Sequence, residues 1–390
     1  MIKSSTPRAV SIAAALVVSA GLLSACGTSS DSTDGAIVVA ATGPETGANA
    51  AIKVLLDGAA ARFDEINAQG GIGGHQIKFV RKDDQYNPAQ TPQQIRQLVE
   101  DDGAVLVCGL VGTGPYASVK DYLSSKGVVG IPASGSASVL NEHTFEILSS
   151  YDPLGARLVN YALDTLNAPK IAVAYSADDV GQPFLAGTQS AADSRGVNFA
   201  ATVQFDASAT DFSSQAALLK QSGADMVLVN HVPTVVSRLQ NAAKKIGYEP
   251  LWGSTFAAAQ PEIIALAPDA ASKTYFATPF LLPDAPEADS FRSAMNKFSP
   301  GTELDGVFPI EGYTVADGCI AVLEKAVEIA GGDAPSAQDV LSATKDLTID
   351  SDYIKDLSWT DADHSGQKQS QIVSVKDSKF VTVDQFSSAP

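Results

Sequence analysis

From Ala36 to the end of the chain, short apolar runs alternate with longer segments whose apolar residues recur every three or four positions. A short run rich in Val and Ile suits a strand covered on both faces, and a 3.6-residue period suits a helix laid across it. The first unit joins "AIVVAAT" to a segment in which Ile52, Leu55, Leu56, Ala59, Phe63 and Ile66 share one face. Gly70-Gly71 then stops the helix. The cycle repeats as strand "HQIKFVRKDD", helix "PAQTPQQIRQLVEDD", strand "AVLVCGL", helix "PYASVKDYLSSKG" and strand "VVGIPAS". This alternation predicts an α/β fold on mostly parallel sheets.

A second series of the same build starts near Asp152 with helix "PLGARLVNYALDTL". It runs through strands "KIAVAYS", "NFAATVQF" and "DMVLVNH" to strands near "PLWGST" and "TYFATPF", with helices between. Two such series imply two similar lobes. After Pro283 come two longer helices, "APEADSFRSAMNKFS" and "GYTVADGCIAVLEKAVEIAGG", and a β-rich tail from Tyr353 to Phe386. So short a tail cannot enclose its own core, so it should complete sheets already built.

Ahead of this body, Lys3 and Arg8 precede an uncharged, mostly apolar run from Ala9 to Ala25. That is the pattern of a secretory signal, and the run is shorter than the ~20 apolar residues that span a bilayer. Leu23-Ser24-Ala25-Cys26 resembles a bacterial lipobox, which implies cleavage after residue 25 and a lipid on Cys26. "GTSSDSTDG" has nothing to bury, so residues 26–35 read as a flexible tether. The net charge of −18 becomes about −20 without the signal's two cations, and no basic footprint for nucleic acid is present. Cys108 and Cys319 are the other cysteines; a disulfide and two buried thiols both fit their positions.

Motifs for catalysis are weak. Gly109-x-x-Gly112-x-Gly114 follows a strand but is out of order for a dinucleotide fingerprint, and "GIPASGSAS" lacks the spacing of a nucleophile elbow. His75, His143, His231 and His364 are scattered, without metal-ligand spacing. Asp361-Ala-Asp363-His-Ser365-Gly366 matches the start of a calcium loop, but Ile372 stands where the bidentate Glu belongs, so it reads as a tight turn. No cofactor, metal or catalytic residue is expected. What remains are Gly-, Ser- and Thr-rich loops at the carboxyl ends of strands, where an open sheet holds its ligand.

The stretch from "GPETGANAAIKVLLDG" through "INAQGGIGGHQI", "DDQYNPAQ" and "GLVGTG" resembles the first lobe of the branched-chain amino acid binding proteins of ABC importers. "IAVAYSADDVGQPFLAG", "DFSSQAALLKQSGADMVLV" and "LQNAAKKIG" are similar to the second lobe. The resemblance spans residues 36–386. It implies a type I periplasmic-binding-protein fold: two doubly wound α/β lobes joined by three crossovers, with a ligand cleft between them. The crossovers are expected near Ser149–Asp152, Thr278–Pro283 and Ile354–Trp359. The lobes would then be 36–150 with 283–355, and 151–282 with 356–390. The implied role is an extracytoplasmic, lipid-anchored, monomeric solute-binding protein with permease and ATPase partners. A ligand-sensing lipoprotein and, less readily, an exported hydrolase using the strand-end serines are the alternatives.

Carried over by position, the ligand contacts are Gly112 and Thr113, then Ser134, Gly135 and Ser136, with hydroxyls and backbone N–H groups for a carboxylate. In the second lobe the matching positions are Asp179, Val180, His231, Thr255 and Phe256. The chain departs from the family at Val180 and His231, where aromatic residues are usual. It departs again at Gly253-Ser254-Thr255-Phe256, where amino-acid binders place the acid that holds the α-amino group. The missing acid predicts a small carboxylate or amide with an apolar part, unless Asp179 or Glu311 supplies the charge from another loop.

Overall fold

The computed structural model describes residues 35–345 and 347–388. The signal, the tether and Cys26 lie outside the described residues. Four strands, β1 (Ile37–Gly43), β2 (Ile77–Asp83), β3 (Leu106–Val111) and β4 (Val129–Ala133), form a parallel sheet in the order β2-β1-β3-β4. Strands β3 and β4 are buried at every residue, as expected of parallel strands covered on both faces.

The second sheet starts with five parallel strands, β5 (Ile171–Ser176), β6 (Ala201–Phe205), β7 (Met226–Val229), β8 (Leu251–Thr255) and β9 (Thr274–Thr278). A two-stranded ribbon, β10 (Thr348–Ile349) with β11 (Leu357–Ser358), stands apart. The last hairpin, β12 (Gln369–Lys376) with β13 (Lys379–Ser388), adds antiparallel to β9, giving β13-β12-β9-β8-β7-β5-β6. The tail thus completes the second sheet.

The chain passes between lobes three times. After β4 it enters the helix Tyr151–Asp164, which packs on Gly181–Ser194 of the second lobe. After β9 it returns with the helix Asp289–Phe298, which packs on Val54–Ala68 of the first. Beyond β11 it goes back to the second sheet. Glycines let the first lobe's helices touch: a Cβ at Gly58 would lie 1.9 Å from the carbonyl oxygen of Pro309, on the helix Phe308–Ile329. That long helix is also joined to β3 by a disulfide between Cys319 and Cys108, both fully buried.

The expected helix "PYASVKDYLSSKG" is two short helices, Thr113–Ala117 and Lys120–Lys126, and the helices after β9 also differ from the sequence reading. The long helix begins at Phe308 instead of Gly312, because Pro309 fits the first helical turn, where its missing N–H costs nothing. A further helix, Ala337–Ala343, is short and carries its signal in a capping box between Ser336 and Asp339. The Asp361–Gly366 run is a turn in which Asp363 accepts from the Ser365 N–H at 3.0 Å. Among the described residues no helix is long and apolar enough to cross a membrane.

Candidate ligand-binding cleft

The carboxyl ends of β3 and β4 face those of β5, β7 and β8 across a cavity of about 50 Å³. At about 30 Å³ per water this holds one or two waters, so a larger ligand requires the lobes to part. The first lobe contributes Ile52, Leu55, Tyr86, Val111, Gly112, Thr113, Ala133, Phe308 and Glu311. Tyr151, Val180, His231, Val232, Phe256 and Ala257 close the other side. Most of this wall is aliphatic or aromatic, and Tyr151 stacks on Phe256 with ring centroids 5.7 Å apart.

Of the residues carried over from the family, Gly112, Thr113, Val180, His231 and Phe256 line the cavity. Ser134 sits one layer behind, its Oγ 2.9 Å from Thr113 Oγ1. Ser136 is fully buried and pairs with Ser138 at 2.8 Å; its side chain caps no helix. Gly135 is wedged against the Tyr151 ring, where a Cβ would lie 2.9 Å from Cε1. Thr255 is turned into the second lobe, donating to Asn230 Oδ1 at 2.6 Å. Asp179 is exposed and does not line this cavity.

The neighbouring Asp178 carries the structural work of that loop. It accepts from the Ser176 hydroxyl at 2.7 Å and the Gly181 N–H at 2.9 Å, and its Oδ2 lies 3.5 Å from His231 Nε2. Burial alone would raise its pKa, but bonds from His231, Ser176 and Gly181 hold it well below the usual carboxylate range. That carboxylate faces Nε2 and leaves Nδ1, buried and without a partner among the described residues, at the cleft.

Glu311 is the acid that the Thr255 position lacks. It stands in the first turn of the long helix and is 2% exposed, and its Oε2 has no hydrogen-bond partner among the described residues. Burial pushes its pKa up to about 8. The chain from Gly301 to Val307 has no regular structure before the helix starts. Local sequence therefore gives little sign that Glu311 turns into the cleft. The sequence reading names Glu311 only as an alternative to Asp179, and it does not name Tyr86, Tyr151 or Phe308 as ligand contacts, since they come from a turn, a crossover and a helix start instead of the strand-end loops. Tyr86 lies within the "DDQYNPAQ" segment, whose resemblance to the family gives no sign that its ring is a wall.

A wider groove of about 610 Å³ runs beside Leu282, Tyr353, Gln367 and Phe380 along the crossovers. Its buried amides are already paired, Gln371 Nε2 with Phe280 O at 2.8 Å and Gln367 Nε2 with Pro279 O at 3.2 Å.

The model of the periplasmic binding protein family matches residues 36–379. The chain belongs to that family. The resemblance seen in the sequence therefore holds at family level, and the fold is the type I periplasmic-binding-protein fold. An amino acid binding protein of Pseudomonas aeruginosa is 25% identical over 72% of this chain and 74% of its own length. That organism's leucine-, isoleucine-, valine-, threonine- and alanine-binding protein is 24% identical over 76% and 79%. Among solved structures, a fatty acid ABC transporter substrate-binding protein from Thermomonospora curvata superposes with a TM-score of 0.81 at 21% identity, over 91% of this chain and 93% of that one. A branched-chain amino acid ABC transporter protein from Thermus thermophilus, with bound valine, gives 0.79 at 19% identity over 90% and 96%. Members of this family bind solutes outside the cytoplasm.

Proposed function

We propose that this chain is the solute-binding subunit of an ABC importer and that it captures a small aliphatic amino acid by closure of its lobes, without altering it chemically. One observation carries the ligand: Glu311 presents an unpartnered carboxyl oxygen in a cavity whose wall is mostly aliphatic and aromatic, and among the described residues it is the one acid on that wall. Burial keeps this carboxyl protonated in the empty cleft, and an α-ammonium is the counter-charge that lets it ionise. The ligand's carboxylate then meets the Thr113 hydroxyl and the backbone N–H groups at the end of β3, and its side chain meets Ile52, Leu55, Tyr86, Phe256 and Phe308. The relatives named for amino acids are consistent with this reading.

In this account residues 36–150 and 283–355 move against 151–282 and 356–390. The body is a monomer, held near its permease and ATPase partners by the lipid on Cys26. A second reading keeps a deaminated acid as ligand, because Glu311 in its protonated form donates to a carboxylate and Thr255 offers no charge. The test is calorimetric titration of the purified body with leucine, isoleucine and valine beside their deaminated acids. The proposal expects the amino acids to bind at least a hundredfold more tightly. Equal or tighter binding of the deaminated acids would move the assignment to the second reading, and hydrolysis of an ester or amide panel would end both.

A further inference from the structure

The turn after β2 holds two consecutive non-glycine residues in the left-handed region, Gln85 at φ 56° and Tyr86 at φ 60°. L-residues with side chains avoid this conformation, and it persists where the surroundings impose it, most often at functional sites. Here two carboxylates impose it. Asp83 Oδ1 accepts from the Gln85 N–H at 2.9 Å. Asp84, fully buried, accepts from the Tyr86 N–H at 2.9 Å through Oδ1 and from the Thr91 hydroxyl at 2.9 Å through Oδ2. The turn is also tied to β1, because the Asp84 N–H donates to the Gly43 carbonyl at 3.2 Å.

What the turn achieves is to lay the Tyr86 ring into the cleft and against the end of β3. A Cβ on Gly112 would lie 2.5 Å from Tyr86 Cε2 and 2.9 Å from its hydroxyl oxygen, so the ring occupies the space that any side chain at 112 would need. Gly112 itself has φ 97°, which a side chain rarely adopts. Ring and glycine therefore fit as a pair. Burial, followed by the Glu311, Asp178 and Asp84 carboxylates, raises the phenol pKa to about 12, so at neutral pH the ring remains a neutral wall beside the acid.

We propose that Tyr86 is the residue that decides how large a ligand side chain the cleft accepts, acting as a wall that the Asp83 and Asp84 carboxylates hold in place. This rests on the amino-acid reading above. No other large side chain of the wall is fixed by such a costly backbone. A shift in selectivity should therefore follow from shortening Tyr86 alone.

The experiment is calorimetry of the full mature chain with valine, leucine and phenylalanine, for the wild type, Tyr86→Ala and Tyr86→Phe. Circular dichroism and thermal melting confirm folding, and Tyr86→Leu serves should the alanine variant fail to fold. The expected result is that Tyr86→Ala raises phenylalanine affinity relative to valine by fivefold or more while Tyr86→Phe keeps the wild-type ratio. A shift under fivefold in a folded alanine or leucine variant overturns the proposal. Wild-type protein that binds none of the three overturns the amino-acid reading itself, and the selectivity assignment with it.

Discussion

Replacing Glu311 by Gln should make the empty protein more stable and the binding protein worse. Burial raises the folded-state pKa from the ordinary 4.5 to about 8. The native carboxyl therefore keeps a proton that the unfolded chain has lost, so the native state binds more protons and stability falls as pH rises between these values. Each pH unit in that window costs about 1.4 kcal/mol, so the burden at pH 7 is about 3 kcal/mol and nothing remains below pH 4.5. Glutamine carries no charge to bury. In the ligand-free protein Glu311→Gln should raise Tm at pH 7 by roughly 5 °C, scaled down for a chain longer than those with 2–4 °C per kcal/mol. The gain should disappear toward pH 4.5. Removing the counter-charge of an α-ammonium costs several kcal/mol, so leucine affinity should fall by about two to three decades. Scanning fluorimetry across pH 4.5–8, paired with leucine titrations, reads both effects. A Tm gain that is the same at every pH, or leucine affinity within threefold of wild type, refutes the reasoning.

The remaining predictions separate this site from the rest of the fold. Glu146, fully buried where the chain first leaves the first lobe, is also raised to about 8, chiefly by burial, while the Ser150 hydroxyl bonded to it at 2.7 Å pulls the other way. Glu146→Gln should therefore stabilise the protein at pH 7 by about 3 kcal/mol and, unlike Glu311→Gln, leave leucine affinity within twofold. The Cys108–Cys319 bridge spans 211 residues, so Cys108→Ala with Cys319→Ala should lower unfolding free energy by about 5 kcal/mol in urea titrations, on the chain-entropy account. Cys26→Ser should move the protein from the membrane fraction to the soluble fraction of fractionated cells, because one lipid is the proposed anchor.

The two-lobe architecture was legible because parallel strands covered on both faces leave continuous apolar runs such as "LVCGLV", and their helices carry a 3.6 period. Cleft residues on strand ends were legible through the family resemblance: Thr113 and His231, carried over by position, lie just past the ends of β3 and β7. The acid was harder to read. Glu311 belongs to a helix whose apolar period becomes clear only from Gly312, and the cavity that holds it is closed by Tyr86, Tyr151 and His231 arriving from other parts of the chain. Ser134 and Thr255 show the converse, hydroxyls at strand ends that turn behind the wall to pair with Thr113 and Asn230 respectively. Spacing places a residue near the cleft; only packing decides which way its side chain turns. The disulfide was equally open, since nothing along the sequence brings Cys108 next to Cys319 until the long helix lies against β3.

The most direct measurement is a crystal structure of the mature chain grown with leucine. The account predicts one leucine between the lobes, its ammonium nitrogen within about 3 Å of a Glu311 oxygen, its carboxylate at Thr113 and its side chain against Phe256 and Phe308. A leucine seated in the groove beside Leu282 and Phe380, or one whose ammonium turns to Asp178 with Glu311 left unpaired, would contradict it.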